Sequence, residues 1–339
     1  MIYIYAVGLN QRGGLKVLNY FLNIKKAHYF LDFRLVSNIK KNVSITFLKH
    51  NFISRFLNLI QIKNKLKRND HIIFLNGLPP LFKFNCKVSV LFQNANIIPN
   101  FYYDNPIYFL ISKDFLRYVI FFLGANKVDD WLVLSPVSKK ILKPNLRHYS
   151  NIKILNTFGS IKQFDESKHV KLYDFIYPAD LKKHKNHDFL LKVFIELAKN
   201  DCYPSLILTL SKKEIKKSKF NYYIKKYNLD ISFIIDEDYQ KFQNIYKKCK
   251  ALLYVSKKET IGLPIIEAWQ NNLFIITPDI DYAYQFITPD AVYLSNNDLV
   301  EIIKKFKKEK LFSKKSIDKN EMILDFGNFD LNTYKNYLL

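Results

Sequence analysis

Short apolar runs alternate with longer stretches of helical spacing along most of this 339-residue chain. The runs at 1–9 (MIYIYAVGL), 71–77 (HIIFLNG), 87–94 (KVSVLFQN) and 130–135 (DWLVLS) read as strands. Between the first two, 15–27 (LKVLNYFLNIKKA) spaces its apolar residues three and four apart, as a helix does. The alternation restarts near residue 170, with strands expected at 173–179, 205–211, 231–235, 251–256 and 273–278. Helices are expected between them at 187–200, 218–229 and 238–249, and a basic amphipathic helix at 301–319. Such alternation predicts parallel sheets with crossover helices. The polar stretch 156–171 (NTFGSIKQFDESKHVK) reads as a linker. The reading is therefore α/β with two Rossmann-like, doubly wound domains, 1–165 and 166–325, and a tail 326–339 that is a candidate for packing back on the first. Ligands of such sheets bind beyond the carboxyl ends of the strands, and a cleft between two domains is the default site.

Composition narrows the class. Apolar residues make up 49% of the chain, enough for cores of this size and too many for a disordered protein. The three cysteines, Cys86, Cys202 and Cys249, are far apart and form no ligand spacing, which fits a reducing cytoplasm. No signal peptide is read in the opening residues. The most apolar stretch, 106–125, is interrupted by Lys113, Asp114 and Arg117, so it reads as a buried or interfacial helix and not as a membrane span.

The net charge of +23 is uneven. Residues 1–150 hold 22 Lys and Arg against 6 Asp and Glu; residues 151–339 hold 31 against 24. A basic first half suits the inner face of an anionic membrane, to which peripheral attachment is expected. AT-rich codon usage, visible in the crowding of Lys, Asn, Ile, Phe and Tyr, is the plain alternative source of that charge. No zinc-finger spacing, aromatic ribonucleoprotein motif or helix-turn-helix signature points to nucleic acid, which is not expected as a partner.

The chemistry concentrates in residues 259–269, ETIGLPIIEAW. Pro264 suits the first turn of a helix, and Gly262 permits unusual dihedrals just before it. A helix over 264–271 would direct unbonded first-turn N–H groups at an anion such as a diphosphate. Glu259 would lie in the loop after a strand, able to accept hydrogen bonds from sugar hydroxyls. Glu267 would lie in the first turns, able to grip a second polyhydroxyl group. The structural alternative is that Glu259 is solvated and Glu267 only complements the helix dipole.

The longer string ETIGLPIIEAWQNNLFIITPD resembles the signature of the GT-B glycosyltransferases of family 4, two glutamates with seven residues between them, Gly-Leu-Pro among these. The resemblance implies that Glu259 contacts the transferred sugar, that Glu267 binds the nucleotide ribose and that the backbone of Ile261, Gly262 and Leu263 approaches the sugar-diphosphate. The segment 177–194 resembles the family's Lys-containing turn before a helix, which makes Lys185 the cation on the leaving diphosphate. Six residues earlier, where the family often has Arg, this chain has Ala179, with Lys182 and Lys183 as the nearby cations. Segment 8–18 resembles the family's N-terminal glycine loop, so Gly13 and Gly14 are expected in a turn near the donor phosphates. Segments 74–82 and 90–98 resemble acceptor-side segments, and Gln93 and Asn94 are the acceptor-binding candidates. Ser135, in DDWLVLSPVSKKIL, reads as structural.

The resemblance implies two Rossmann-like domains facing across a cleft. It also implies retaining transfer of a hexose from a UDP- or GDP-sugar to a glycan or lipid-linked acceptor, as in capsule or O-antigen assembly. No cofactor and no metal are expected for the chemistry. Asp236-Glu237-Asp238 and Asp279-Ile280-Asp281 spell Asp-x-Asp, but both follow strands, where acids commonly cap helices. His184 and His187 lack a third ligand. Two rivals stay open: a GT-B sugar-nucleotide epimerase, and a catalytically inactive sugar-nucleotide-binding or scaffold protein, to which Ala179 lends weight.

Overall fold

The computed structural model describes residues 1–9, 12–22, 24, 26–36, 44–99, 106–146, 151–155, 170–235 and 239–308. The chain divides into two compact units, with the change between Gly159 and Ser160. Both the linker expected at 156–171, apart from its last two residues, and the tail at 326–339 lie outside the described residues.

The N-terminal unit carries a seven-stranded sheet of β1 (Ile2–Ala6), β2 (Ala27–Asp32), β3 (Ser44–Leu48), β4 (His71–Phe74), β5 (Lys87–Phe92), β6 (Asp130–Val133) and β7 (Asn151–Ile154). Their order is β3-β2-β1-β4-β5-β6-β7, and every pairing is parallel. The central strands are buried on both faces, which is why β4 reads as the unbroken apolar run His-Ile-Ile-Phe. The helices are α1 (Arg12–Phe21), α2 (Phe52–Lys65), α3 (Pro106–Leu110), α4 (Lys113–Gly124) and α5 (Pro136–Leu142). The long apolar stretch at 106–125 is two helices, not one. Ser112 caps α4 by accepting from the amides of Asp114 and Phe115, and so breaks the run. No helix among the described residues is long and apolar enough to cross a membrane. Ser135 is buried and caps α5 through Ser138 N–H at 3.1 Å.

The C-terminal unit repeats the plan. Its strands are β8 (Tyr173–Tyr177), β9 (Leu206–Leu208), β10 (Ile231–Phe233), β11 (Cys249–Leu253), β12 (Phe274–Pro278) and β13 (Ala291–Tyr293). They run β10-β9-β8-β11-β12-β13, again with parallel pairings throughout. The helices are α6 (His187–Lys199), α7 (Lys212–Lys217), α8 (Phe220–Tyr227), α9 (Tyr239–Lys248), α10 (Leu263–Gln270) and α11 (Asn296–Lys307). Each sheet therefore reverses its direction of strand addition once, at β1/β4 and at β8/β11. That reversal spreads the loops at the carboxyl ends of the two strands and leaves a crevice for a ligand.

Three expectations about elements change. The helix expected over 15–27 ends at Phe21, and Ala27 already begins β2. The glycine pair is not a turn before α1: Gly13 and Gly14 lie within its first helical turn. A Cβ on Gly14 would sit 3.2 Å from Leu9 Cδ2, so glycine there lets the helix start close against the end of the first strand. The basic helix expected over 301–319 starts earlier, at Asn296, because Ser295 and Asp298 form a capping box. Residues 309–319 lie outside the described residues.

Candidate functional site

In the C-terminal unit the two loops that leave the switch-point strands, 178–186 after β8 and 254–262 after β11, are tied together by their backbones. Lys257 N–H donates to the His184 carbonyl at 2.8 Å, and Ser256 Oγ reaches the same oxygen at 3.3 Å. Residues Lys183–Lys185 form a single 3-10 turn, closed by Lys185 N–H on Lys182 O at 2.9 Å. The Lys185 carbonyl accepts from the Tyr177 hydroxyl. Asn186 then takes a left-handed conformation, φ 58°, from which α6 departs. Asparagine tolerates that region better than most residues do.

This anchoring aims Lys185 at Glu259. Lys185 Nζ donates to Glu259 Oε1 at 2.5 Å, and the two side chains are 15% and 13% exposed. The Tyr254 hydroxyl donates to the same oxygen at 2.8 Å. Behind the pair stand three tyrosine rings. Tyr177 and Tyr254 meet edge-on at 5.7 Å, and Tyr254 and Tyr282 at 6.0 Å. Burial, and then the Glu259 charge, push all three hydroxyls well above the usual tyrosine range, so they stay protonated donors. Tyr282 spends its proton on the Ser256 carbonyl at 2.5 Å. Neither Tyr254 nor Tyr282 stood out in the sequence. The signal was there: an aromatic hydroxyl at or beyond the end of a buried strand must find an acceptor.

Past Glu259 the loop turns at Gly262, with φ 71°, directly before α10. Gln285 Nε2 holds the approach to the turn, donating to Thr260 O at 3.1 Å and Ile261 O at 2.7 Å. Glu267 is 7% exposed and lies in the second turn of α10. The first turn contains no acid, so dipole complementation there is not its role. The Tyr246 hydroxyl of α9 donates to Glu267 Oε2 at 2.7 Å.

Burial lowers His184 to about 3, aided by the Lys185 cation beside it, and lowers His187 to about 4. Both are neutral near pH 7. Ala179 is buried, and Lys182 is paired with Asp180 at 2.7 Å. Among the described residues no group of three His, Cys, Asp or Glu side chains could hold a metal ion. Asp279 accepts from the Tyr284 hydroxyl at 2.6 Å and Asp281 opens a short 3-10 turn, while 236–238 lie outside the described residues.

Gly13, Gly14, Gln93 and Asn94 belong to the N-terminal unit. Gln93 Nε2 donates to Leu75 O at 3.0 Å, and Asn94 Oδ1 caps the short turn Ala95–Ile97 through Asn96 N–H at 3.2 Å. Both also line a cavity of about 240 Å³ with Gly8, Asn76, Arg55 and Arg117. Neither arginine was read as a site residue in the sequence, where two cations among so many carry no signal.

The chemistry open to the C-terminal loops is specific. A fixed ammonium can stabilise negative charge that grows on a departing group. A carboxylate beside it, acceptor-only when ionised, can orient hydroxyls. A left-handed glycine before a helix start brings backbone close to a ligand.

These loops fall inside a match to a known family. Residues 160–321 match the model of the family described as Glycosyl transferases group 1. The chain is 26% identical over 174 residues to the GtfA subunit of the UDP-N-acetylglucosamine–peptide N-acetylglucosaminyltransferase of Streptococcus gordonii, covering 50% of this chain and 34% of that protein. It is 31% identical over 68 residues to the O-antigen chain mannosyltransferase RfbU of Salmonella typhimurium, 20% of this chain and 19% of that protein. The match thus spans about a third or less of either relative. Among solved structures, Anabaena HepE in complex with UDP-glucose superposes with a TM-score of 0.69 at 13% identity, covering 99% of this chain and 97% of that one. The fold is that of the GT-B glycosyltransferases: two parallel-sheet α/β domains.

Proposed function

We propose that this chain is a retaining glycosyltransferase that moves a hexose from a nucleoside-diphosphate sugar to a hydroxyl of a glycan or lipid-linked acceptor. The observation that carries the reading is the Lys185–Glu259 pair at the β8/β11 switch point, within the segment that matches the group 1 family model. Lys185 is the cation for the diphosphate and Glu259 the acceptor for the sugar's hydroxyls. The backbone of Ile261, Gly262 and Leu263 approaches the diphosphate, and Glu267 binds the ribose.

In the transfer, the bond from the anomeric carbon to the diphosphate oxygen breaks. The acceptor oxygen bonds that carbon on the same face, and its proton passes to the departing diphosphate. Negative charge on the leaving group is largest in the transition state, so Lys185 favours that state over the bound donor. In the free protein Lys185 is held by Glu259. A bound diphosphate competes for the ammonium, and the released carboxylate turns to the sugar. This chemistry needs no metal and no cofactor. The GtfA relative's name and the ligand of HepE support a uridine donor. RfbU supports a setting in bacterial surface polysaccharide assembly, and the basic first half of the chain supports a peripheral place at the inner face of the cytoplasmic membrane.

The test is thermal protection by a panel of UDP- and GDP-sugars, followed by transfer assays with the protecting donor. One donor should raise the midpoint, and Lys185→Ala and Glu259→Ala should each cut transfer by about 10²-fold or more. Transfer unchanged in both variants would overturn the assignment. Donor conversion without any acceptor would identify an epimerase instead.

A further inference from the structure

Two adjoining hollows of the N-terminal unit differ sharply in chemistry. The first, of about 240 Å³, lies at the carboxyl ends of β1, β4 and β5, the switch point of that sheet. Its walls hold two guanidinium groups, Arg55 and Arg117, with the side-chain amides of Asn76, Gln93 and Asn94. The second is a smaller groove between α2, α4 and the Pro79-Pro80 turn, lined by Phe56, Leu59, Leu78, Phe82 and Ile120. Arg55, Asn76 and Leu78 line both, so the hollows are continuous.

We infer that the acceptor held by this unit is an amphiphilic anion, a lipid whose head group carries a phosphate. The phosphate is placed in the arginine-lined cavity and the hydrocarbon chain in the adjoining groove. This inference rests on the transferase reading and deepens it by choosing one acceptor class.

Charge is the first support. Two nearby carboxylates already have cations of their own. Asp114 pairs with Arg117 at 2.8 Å, and Asp32, which accepts from Gly8 N–H at 3.0 Å, is gripped by Arg34 at 2.7 Å. Arg55 lies beside the buried Tyr5 hydroxyl and makes no ion pair to either acid. Arginine's planar fork matches phosphate, and the three amides supply donors at the same opening. Two of those amides are held in place by the backbone, through Gln93 on Leu75 O and Leu78 N–H on Asn76 Oδ1 at 3.3 Å.

Apolarity is the second. Phe56 and Phe82 meet edge-on at 6.1 Å, and Lys63 Nζ stands 5.4 Å above the Phe82 ring, which adds a cation at the groove. The outer face of α2 continues the apolar surface with Ile53, Leu57 and Ile60, spaced four and three apart and exposed at 72%, 54% and 36%. A hydrocarbon chain leaving the groove therefore meets apolar surface. A free sugar would use the cavity and leave the groove bare.

Decyl phosphate, inorganic phosphate and decyl maltoside, titrated below their aggregation concentrations and without donor, separate the parts. Decyl phosphate should bind at least tenfold more tightly than either of the others. Arg55→Gln should remove most of its advantage over decyl maltoside, and Phe56→Ser most of its advantage over inorganic phosphate. Phe56 is partly exposed, so that variant folds. Equal binding of decyl phosphate and decyl maltoside overturns the inference, as does inorganic phosphate binding as tightly as decyl phosphate. Heat protection by the panel of UDP- and GDP-sugars, measured on the same protein, reports on the donor site separately. Its failure with decyl phosphate still bound would sink the transferase reading and leave this site standing.

Discussion

Lys185 Nζ and Glu259 Oε1 are 2.5 Å apart although 74 residues separate them in the chain. The strand order explains the meeting. β8 and β11 are neighbours at the one place where the C-terminal sheet changes direction, so the loops behind them share a crevice. The hydrogen bonds from Lys257 and Ser256 to the His184 carbonyl then fix their distance. Under the transferase reading, the pair holds a cation ready for an anionic leaving group and keeps it compensated until one arrives.

That pairing predicts a coupling. Lys185→Met strands a carboxylate that is mostly withdrawn from water, and Glu259→Gln strands the ammonium. Complete burial would make either change cost 3–5 kcal/mol; at the exposure found here about 1–3 kcal/mol is expected. The double variant should recover part of the loss. Thermal midpoints in a double-mutant cycle measure it. Strict additivity would mean that the two groups do not interact in solution.

Gly262 predicts a backbone effect. At φ 71° an L residue with a Cβ is strained, and that Cβ would lie 3.3 Å from Ile265 Cδ1. Gly262→Ala should lower stability by about 1–2 kcal/mol, and Gly262→Asn by less, because Asn tolerates the left-handed region. Under the transferase reading both should also weaken donor protection, since the turn sets the start of α10. An alanine variant as stable as the parent would show that the turn relaxes freely.

Gly124 predicts a packing effect in the other unit. A Cβ there would come within 2.6 Å of the Pro80 carbonyl oxygen and 2.8 Å of Pro79 Cγ. The end of α4 thus lies directly on the turn that walls the apolar groove. Gly124→Ala must push the turn or the helix away, at a cost of about 1–3 kcal/mol. Urea denaturation reads the loss. A neutral result would show that this contact is loose.

Much of this was legible in the sequence, for stated reasons. β4, β5, β6, β8 and β11 are buried on both faces and read as continuous apolar runs. The string from Glu259 to Glu267 carries its turn chemistry in Gly262 and Pro264. Of the four edge strands only β10 was legible. β3 (SITFL), β7 (NIKI) and β13 (AVY) are short or half-exposed, so their apolar signal is weak. β2 was hidden because the helical spacing of α1 runs on through residues 22–27. The site's supporting cast was invisible for another reason. Tyr282 and Gln285 act through partners 24 to 26 residues away and Tyr177 and Tyr254 through partners eight and five residues away, and no helix or strand period marks a residue whose role is to hold another one.

His187 predicts a pH dependence. It begins α6, is buried between the Tyr177 and Phe220 rings at 5.1 Å and 6.2 Å, and neither ring nitrogen has a hydrogen-bond partner among the described residues. Burial is the main reason its pKa falls to about 4; Asp180, Glu214 and Asp188 pull it up and Lys185 pushes it down. An unfolded histidine titrates near 6.5. Between those values the unfolded chain binds the extra proton and the folded one does not, so acid favours unfolding. The neutral ring costs nothing above pH 6.5, and stability is lost as the pH falls from there toward 4. This one group should account for roughly 2 kcal/mol of the difference between pH 7 and pH 4.5. His187→Phe keeps an aromatic ring in the same packing and removes the proton site. Urea denaturation at the two pH values should show a difference smaller by about that amount in the variant. Groups away from His187, such as His28 and His71, titrate alike in both proteins and cancel in the comparison, and His184, on which burial outweighs the His187 charge, differs little. An unchanged difference would mean that the ring gains its proton without leaving the fold.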